Sequence, residues 1–182
     1  EHQAVRDRVA MFDMTTFTGI EIAGEGTMEF LQRLLTNDMD CSVGRMRYAA
    51  MLNEDGGILA DLTVARLDRD RYLLTTGGGN SATLHSRWIR EHAPESLSIT
   101  VHDSSRSGVG VWGPEARELL GPLVEADLSD DAFPFYAVRE TYLESLPVTM
   151  PTQFDHPFFS SRANLLKTED SFFSQIPKFH FE

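Results

Sequence analysis

The stretch that most limits the possible folds is 45–67, Arg-Met-Arg-Tyr-Ala-Ala-Met-Leu-Asn-Glu-Asp-Gly-Gly-Ile-Leu-Ala-Asp-Leu-Thr-Val-Ala-Arg-Leu. Two strand-like arms, 45–52 and 58–67, flank Asn53, Glu54, Asp55, Gly56 and Gly57. Asp-Gly and Gly-Gly supply the positive φ angles that a tight hairpin loop needs. A third arm, 71–76, follows the polar turn Asp68, Arg69, Asp70, so the stretch predicts an antiparallel meander. Strand side chains alternate between faces. Leu59, Asp61, Thr63, Ala65 and Leu67 therefore share one face, and Ile58, Ala60, Leu62 and Val64 the other. Both faces are largely apolar, which predicts a central strand covered on both sides. A carboxylate there is costly unless something hydrogen-bonds it. Two readings of Asp61 stand side by side. It is either a structural acid satisfied by backbone amides or an arginine, or a buried acid aimed into a pocket to hold or protonate a basic nitrogen.

The remaining chain predicts helices and strands in alternation. Val5, Val9 and Phe12 have helical spacing over 2–12. A short strand is expected over 18–23. A helix then opens at Thr27 as N-cap, with Met28, Leu31, Leu34 and Leu35 on its apolar face and Thr36, Asn37 and Asp38 as its stop. Gly77, Gly78 and Gly79 precede a helix over 81–92. Without a following Lys-Ser/Thr they read as a flexible turn with Asn80 as N-cap rather than a phosphate cradle. Leu84, Trp88 and Ile89 should face the core. His85 and His92 read as solvated histidines, since no third ligand lies near for a metal. Strands are expected over 97–102 and 108–112, a helix after Gly113 and Pro114, and a hairpin over 136–143 and 147–150. The class is α+β, with antiparallel sheets and helices packed on them.

The length of 182 residues allows one ordinary domain with a sizeable core. A net charge of −12 argues against nucleic acid and anionic membranes as partners. No segment is long and apolar enough to span a bilayer, and no signal peptide is visible. The chain opens on Glu1, which is expected of a piece of a longer protein. A single cysteine, Cys41, permits no internal disulfide and suits a cytoplasmic setting. Composition breaks near Met150. Both lysines, Lys167 and Lys178, and more than half of the 12 phenylalanines lie beyond it. Residues 1–150 are therefore expected to form the domain, and 151–182 a Phe-rich tail that is poorly packed against it or paired in a way that its fold does not otherwise use.

Several ordered motifs carry a resemblance. Residues 51–64, Met-Leu-Asn-Glu-Asp-Gly-Gly-Ile-Leu-Ala-Asp-Leu-Thr-Val, resemble the signature hairpin of the folate-binding aminomethyltransferase family, which includes the glycine cleavage T-protein. Residues 30–38, Phe-Leu-Gln-Arg-Leu-Leu-Thr-Asn-Asp, resemble that family's first helix and its exit. The Trp112-Gly113-Pro114 junction, with Phe133-Pro134-Phe135 and Arg139-Glu140, is most similar to the folate domains of dimethylglycine and sarcosine dehydrogenases and oxidases.

The resemblance implies a folate-binding N-terminal domain that uses tetrahydrofolate. It would take a one-carbon unit from a small amine-derived donor, with FAD only on a separate upstream flavin domain. It implies Asp61 as the functional acid that contacts a folate nitrogen. It also implies Tyr48, Met51 and Thr63 as residues lining the site, although Tyr48 reads equally as a core aromatic. The family's Arg-x-Ser/Thr-x-Tyr-x-Gly-Glu run, which supplies a pterin-holding tyrosine and glutamate, is absent after Val148. The alternative is a non-catalytic folate-fold module for binding or assembly.

Overall fold

The computed structural model describes residues 2–102, 106–152 and 162–168. The meander forms as expected. β3 (Met46–Leu52), β4 (Ile58–Asp68) and β5 (Arg71–Gly77) pair antiparallel in sequence order. Asn53 builds the first turn. Its backbone N–H donates to Gly57 O at 2.9 Å, and its side-chain Oδ1 accepts from the backbone N–H of Gly57 at 2.6 Å and of Asp55 at 3.1 Å. Gly56 takes φ 80°, a conformation glycine adopts without strain.

Two more strands complete this first sheet, β2 (Phe17–Ala23) and β6 (Ser98–His102), in the order β3-β4-β5-β2-β6. Helices α2 (Thr27–Leu34) and α3 (Asn80–His92) cover one of its faces. Under them lies the larger core, which includes Ile20, Ile22, Leu31, Met51, Leu62, Tyr72, Leu74 and Ile89. The second sheet has the order β1-β7-β10-β9-β8. It is built from β1 (Ala10–Asp13), β7 (Arg106–Trp112), β8 (Val138–Leu143), β9 (Leu146–Pro151) and β10 (Arg162–Thr168). α4 (Ala116–Leu120) packs beside its core of Val109, Val111, Phe133, Val148 and Met150. A small third cluster, Met46, Ala65, Leu73 and Val138, joins the two sheets.

Four sequence expectations are corrected. The helix over 2–12 stops early, as α1 (His2–Asp7), because Ala10–Asp13 pairs with β7 and its backbone is committed to that ladder. Thr27 is not an N-cap. Gly26 holds that place at φ 90°, and the Thr27 hydroxyl donates to Gly24 O at 2.6 Å. Gly79 likewise displaces Asn80 as N-cap. Gly78 lies against the chain at Thr16, where a Cβ would come within 1.9 Å of Thr16 O, so close backbone approach accounts for glycine here. Leu84 is 65% exposed, while Ala82 and Ile89 are the buried residues of α3.

Of the histidines of α3, His92 is exposed, as expected, and His85 is half-buried. His92 Nδ1 lies 2.8 Å from Trp88 O and its ring lies tilted against the Trp88 ring with centroids 4.1 Å apart, and His85 is hydrogen-bonded at both nitrogens. Within the tail, residues 162–168 are paired. That backbone forms β10 inside the second sheet, paired with β7 over its whole length and with β9 at Leu166 and Lys167. Residues 153–161 and 169–182 lie outside the described residues. Among the described residues no helix is long and apolar enough to cross a membrane.

Tyr72 carries a pH consequence. Its ring is fully buried and its hydroxyl donates to Met39 O at 3.3 Å, and burial pushes the phenol up to about 12 from 10.0. In the window between those values the unfolded chain releases this proton while the native state keeps it. Stability therefore falls as pH rises through the window, by on the order of 2–3 kcal/mol at its upper end. Chemical denaturation at pH 9 and pH 11.5 should show that loss in the wild type and much less of it in Tyr72→Phe. An equal loss in both would remove Tyr72 as its source.

Candidate functional site

The meander presents one face to the helices and leaves part of the other open. On the open face, cross-strand register aligns Tyr48, Thr63, Thr75, Gly19 and His102 in a single row from β3 to β6. Ala50 and Asp61 pair in the next row. Tyr48 and Asp61 are thus diagonal neighbours, close enough for long side chains to meet. The Tyr48 hydroxyl donates to Asp61 Oδ2 at 3.0 Å. Tyr48 is 48% exposed and Thr63 half-buried between the strands.

Asp61 is exposed, which corrects the expectation of a buried acid. The cover on its face comes from Val138, and it reaches Met46, Ala65 and Leu73 but not the outer end of β4. Ile58 and Leu59 are exposed as well, at 73% and 36%, so the apolar character that suggested a covered strand is surface there. The partner of the carboxylate is a phenol and not a guanidinium. That hydrogen bond, and then the negative charge itself, raise the Tyr48 phenol above its ordinary value.

Met51 stands elsewhere. It pairs with Ala60 on the opposite face and is fully buried in the larger core, so it is a packing residue and not a wall of the Asp61 site. Tyr48, Asp61 and Thr63 are brought together; Met51 is not.

Sequence reasoning missed the residues that hold this cluster in place. Asn37, read only as part of a helix stop, donates from Nδ2 to Tyr48 O at 2.8 Å on the outer edge of β3. Tyr136 accepts from Met46 N at 2.8 Å through its carbonyl, which pins β3 to the second sheet. Its φ of 57° is uncommon for a bulky residue, and its ring stacks on Phe135 at 4.1 Å. His85 reaches β4 from α3. Register alone could have revealed Thr75, which lies opposite Thr63 once the β4–β5 turn is known.

Past Leu73 the same face turns ionic. Glu21 lies 3.8 Å from Arg71 and 3.6 Å from His102, and Arg71 also pairs with Glu140 across the sheets. This network ties β2, β5, β6 and β8 together. Among the described residues no cluster of three or more His, Cys, Asp or Glu side chains could hold a metal ion.

Comparison with known proteins bears on the family and the fold. Residues 1–152 match the family model described as the GCVT N-terminal domain. An aminomethyltransferase of Bacillus subtilis is 35% identical over 130 residues, covering 71% of this chain and 36% of the relative. The chain thus spans little more than a third of the length of that curated relative. Among solved structures, the glycine cleavage system aminomethyltransferase T of Bartonella henselae superposes with a TM-score of 0.78 at 22% identity, over 92% of this chain and 44% of that one. Heterotetrameric sarcosine oxidase from Corynebacterium sp. U-96 superposes with a TM-score of 0.68 at 17% identity, over 88% of this chain and 75% of that one. At these identities the two structures speak for the fold.

Proposed function

The chain belongs to the aminomethyltransferase family through its GCVT N-terminal domain, and on that premise we propose that the open face of the meander binds tetrahydrofolate, with Asp61 as the functional acid. The observation that carries the reading is the Tyr48–Asp61 hydrogen bond. It engages Oδ2 and fixes the carboxylate, so that Oδ1 can accept from a ligand N–H. The half-exposed Tyr48 ring offers a flat apolar surface beside that oxygen, suited to one face of a pterin. The Thr63 side chain lies in the same row as Tyr48. This donor and acceptor set fits one polar edge of a pterin.

Tetrahydrofolate, when bound, supplies the nitrogen that accepts the one-carbon unit. Asp61 then acts by charge. An ionised carboxylate beside the reacting nitrogen favours positive charge there, more strongly as water is excluded. The donor in this reading is a small N-methylated amine of the dimethylglycine or sarcosine type, with amine oxidation carried by a separate flavin domain. The resemblance of the Trp112-Gly113-Pro114 junction to the folate domains of dimethylglycine and sarcosine enzymes supports that choice, and a glycine-derived donor is the other in the same reading. One observation favours the second reading, a non-catalytic binding or assembly module: the exposure of Asp61, which weakens its field.

Calorimetric titration with reduced, anaerobic tetrahydrofolate tests the proposal. Weak binding is expected. Two hydrogen bonds of the family's missing tyrosine and glutamate cost about two to four decades of affinity relative to a complete site. Absence of heat at millimolar ligand, with no change in Tyr48 titration, would sink the folate reading. Binding without formaldehyde capture would leave the module reading.

A further inference from the structure

Building on the folate reading, we propose that His85 is a positioning residue for Asp61. Its imidazole clasps the Leu59 carbonyl to the Thr76 hydroxyl and fixes the outer arm of β4 where the β4–β5 ladder has ended. The ladder runs from Asp68, opposite Arg71, to Thr63, opposite Thr75. Beyond that rung β5 stays with β2, since Thr76 and Gly77 pair with Thr18 and Phe17. β4 continues with β3 alone, through Leu62, Asp61 and Ala60 opposite Ala49, Ala50 and Met51.

His85 occupies the opening. Nδ1 lies 2.8 Å from Thr76 Oγ1, and Nε2 lies 2.9 Å from Leu59 O. A carbonyl can only accept, so Nε2 carries a proton, and in the neutral imidazole Nδ1 then accepts from the threonine hydroxyl. Thr76 is 2% exposed, which shields its end of the clasp from water. Asp61 sits two residues from the last rung at Thr63 and two from the clasp at Leu59. Without His85 this arm is a two-stranded ribbon, free to twist away from β5. Tyr48 and Asp61 ride together on that ribbon, so their own hydrogen bond survives. What changes is the position of the pair relative to Thr75 and the rest of the row.

Two substitutions separate positioning from general support. His85→Gln keeps an N–H for Leu59 O and an oxygen for the Thr76 hydroxyl, whereas His85→Leu keeps bulk and loses both bonds. In His85→Leu, native-state hydrogen exchange over 58–62 should speed about tenfold while α3 and 63–68 keep their protection. Tetrahydrofolate affinity should fall about tenfold, as misplacement of a fixed group does. The Tyr48 phenol should titrate as in the wild type, and His85→Gln should restore both exchange and binding. Unchanged exchange over 58–62 in His85→Leu, exchange that rises throughout α3, or failure of the glutamine variant to rescue would each overturn the clasp. If the wild type does not bind tetrahydrofolate, the folate reading fails, and exchange with glutamine rescue alone then decides the clasp.

Discussion

Asp61→Asn is expected to lower tetrahydrofolate affinity by roughly two- to thirtyfold and to abolish formaldehyde capture by bound folate, with the melting temperature unchanged within about 1 °C. Asparagine keeps the shape and one carbonyl acceptor, so the loss isolates the charge. A hydrogen bond to a charged group contributes about 1.5–3 kcal/mol, against about 1 kcal/mol for a neutral one. The thermal expectation follows from exposure, because the carboxylate already sits in water and no buried partner is orphaned. An internal control accompanies the binding data. Asp61 holds the Tyr48 phenol above its ordinary value, so in Asp61→Asn that phenol should titrate lower. Tyrosinate absorbance in wild type, Asp61→Asn and Tyr48→Phe reads it. A variant that binds and captures like the wild type would remove Asp61 from the chemistry. One that melts several degrees lower would make it a structural acid.

Gly113→Ala should have a large effect on stability, a loss of about 3 kcal/mol or more. Gly113 follows β7 at φ 128°, and a Cβ there would stand 2.3 Å from Arg8 O and 2.9 Å from both Arg8 C and Val9 Cα. All three are backbone atoms, so no side-chain rotation relieves the clash. The same Arg8 carbonyl accepts from Glu115 N at 3.0 Å, so displacing it strains a second contact. For a chain of this size each kcal/mol shifts the melting temperature by about 2–4 °C, so a fall of roughly 6–12 °C is expected in calorimetry. Gly121→Ala is the matched control. Gly121 has helical φ and ψ, and nothing lies within 4 Å of its Cβ position, so alanine there should be neutral or slightly stabilising. Equal melting of Gly113→Ala and wild type would mean that the junction of α1 and β1 yields easily.

The meander was legible because its turn chemistry and alternation agree. Asn53 to Gly57 could only be a tight loop, and the register that brings Tyr48 beside Asp61 follows from it. What alternation could not give was the extent of cover. Ile58 and Leu59 read as interior, yet both are exposed, and the cover on the Asp61 face takes in Ala65 but not the outer end of β4. Met51 was misassigned for a related reason. Its motif membership said nothing about face, whereas counting by twos from Ala49 would have placed it in the core. The supports at Asn37 and His85 were hidden because both act on backbone carbonyls across the fold, which no local spacing encodes. β10 was invisible because its place is set by pairing with β7 and β9 and not by a period of its own.

The sequence arrangement of the two sheets has a kinetic consequence. Strands β2 to β6 are consecutive and complete the first sheet within residues 17–102. The second sheet joins β1 at residues 10–13 to β7 at 106–112, a longer separation than any pairing in the first sheet. Closing such distant contacts is entropically slow, while hairpins close early. During synthesis the hairpin bearing Asp61 and Tyr48 can therefore assemble while the partners of β1 are still unmade. Until then β1 has no strand beside it, and a strand edge left waiting in this way is where misassembly during translation would begin.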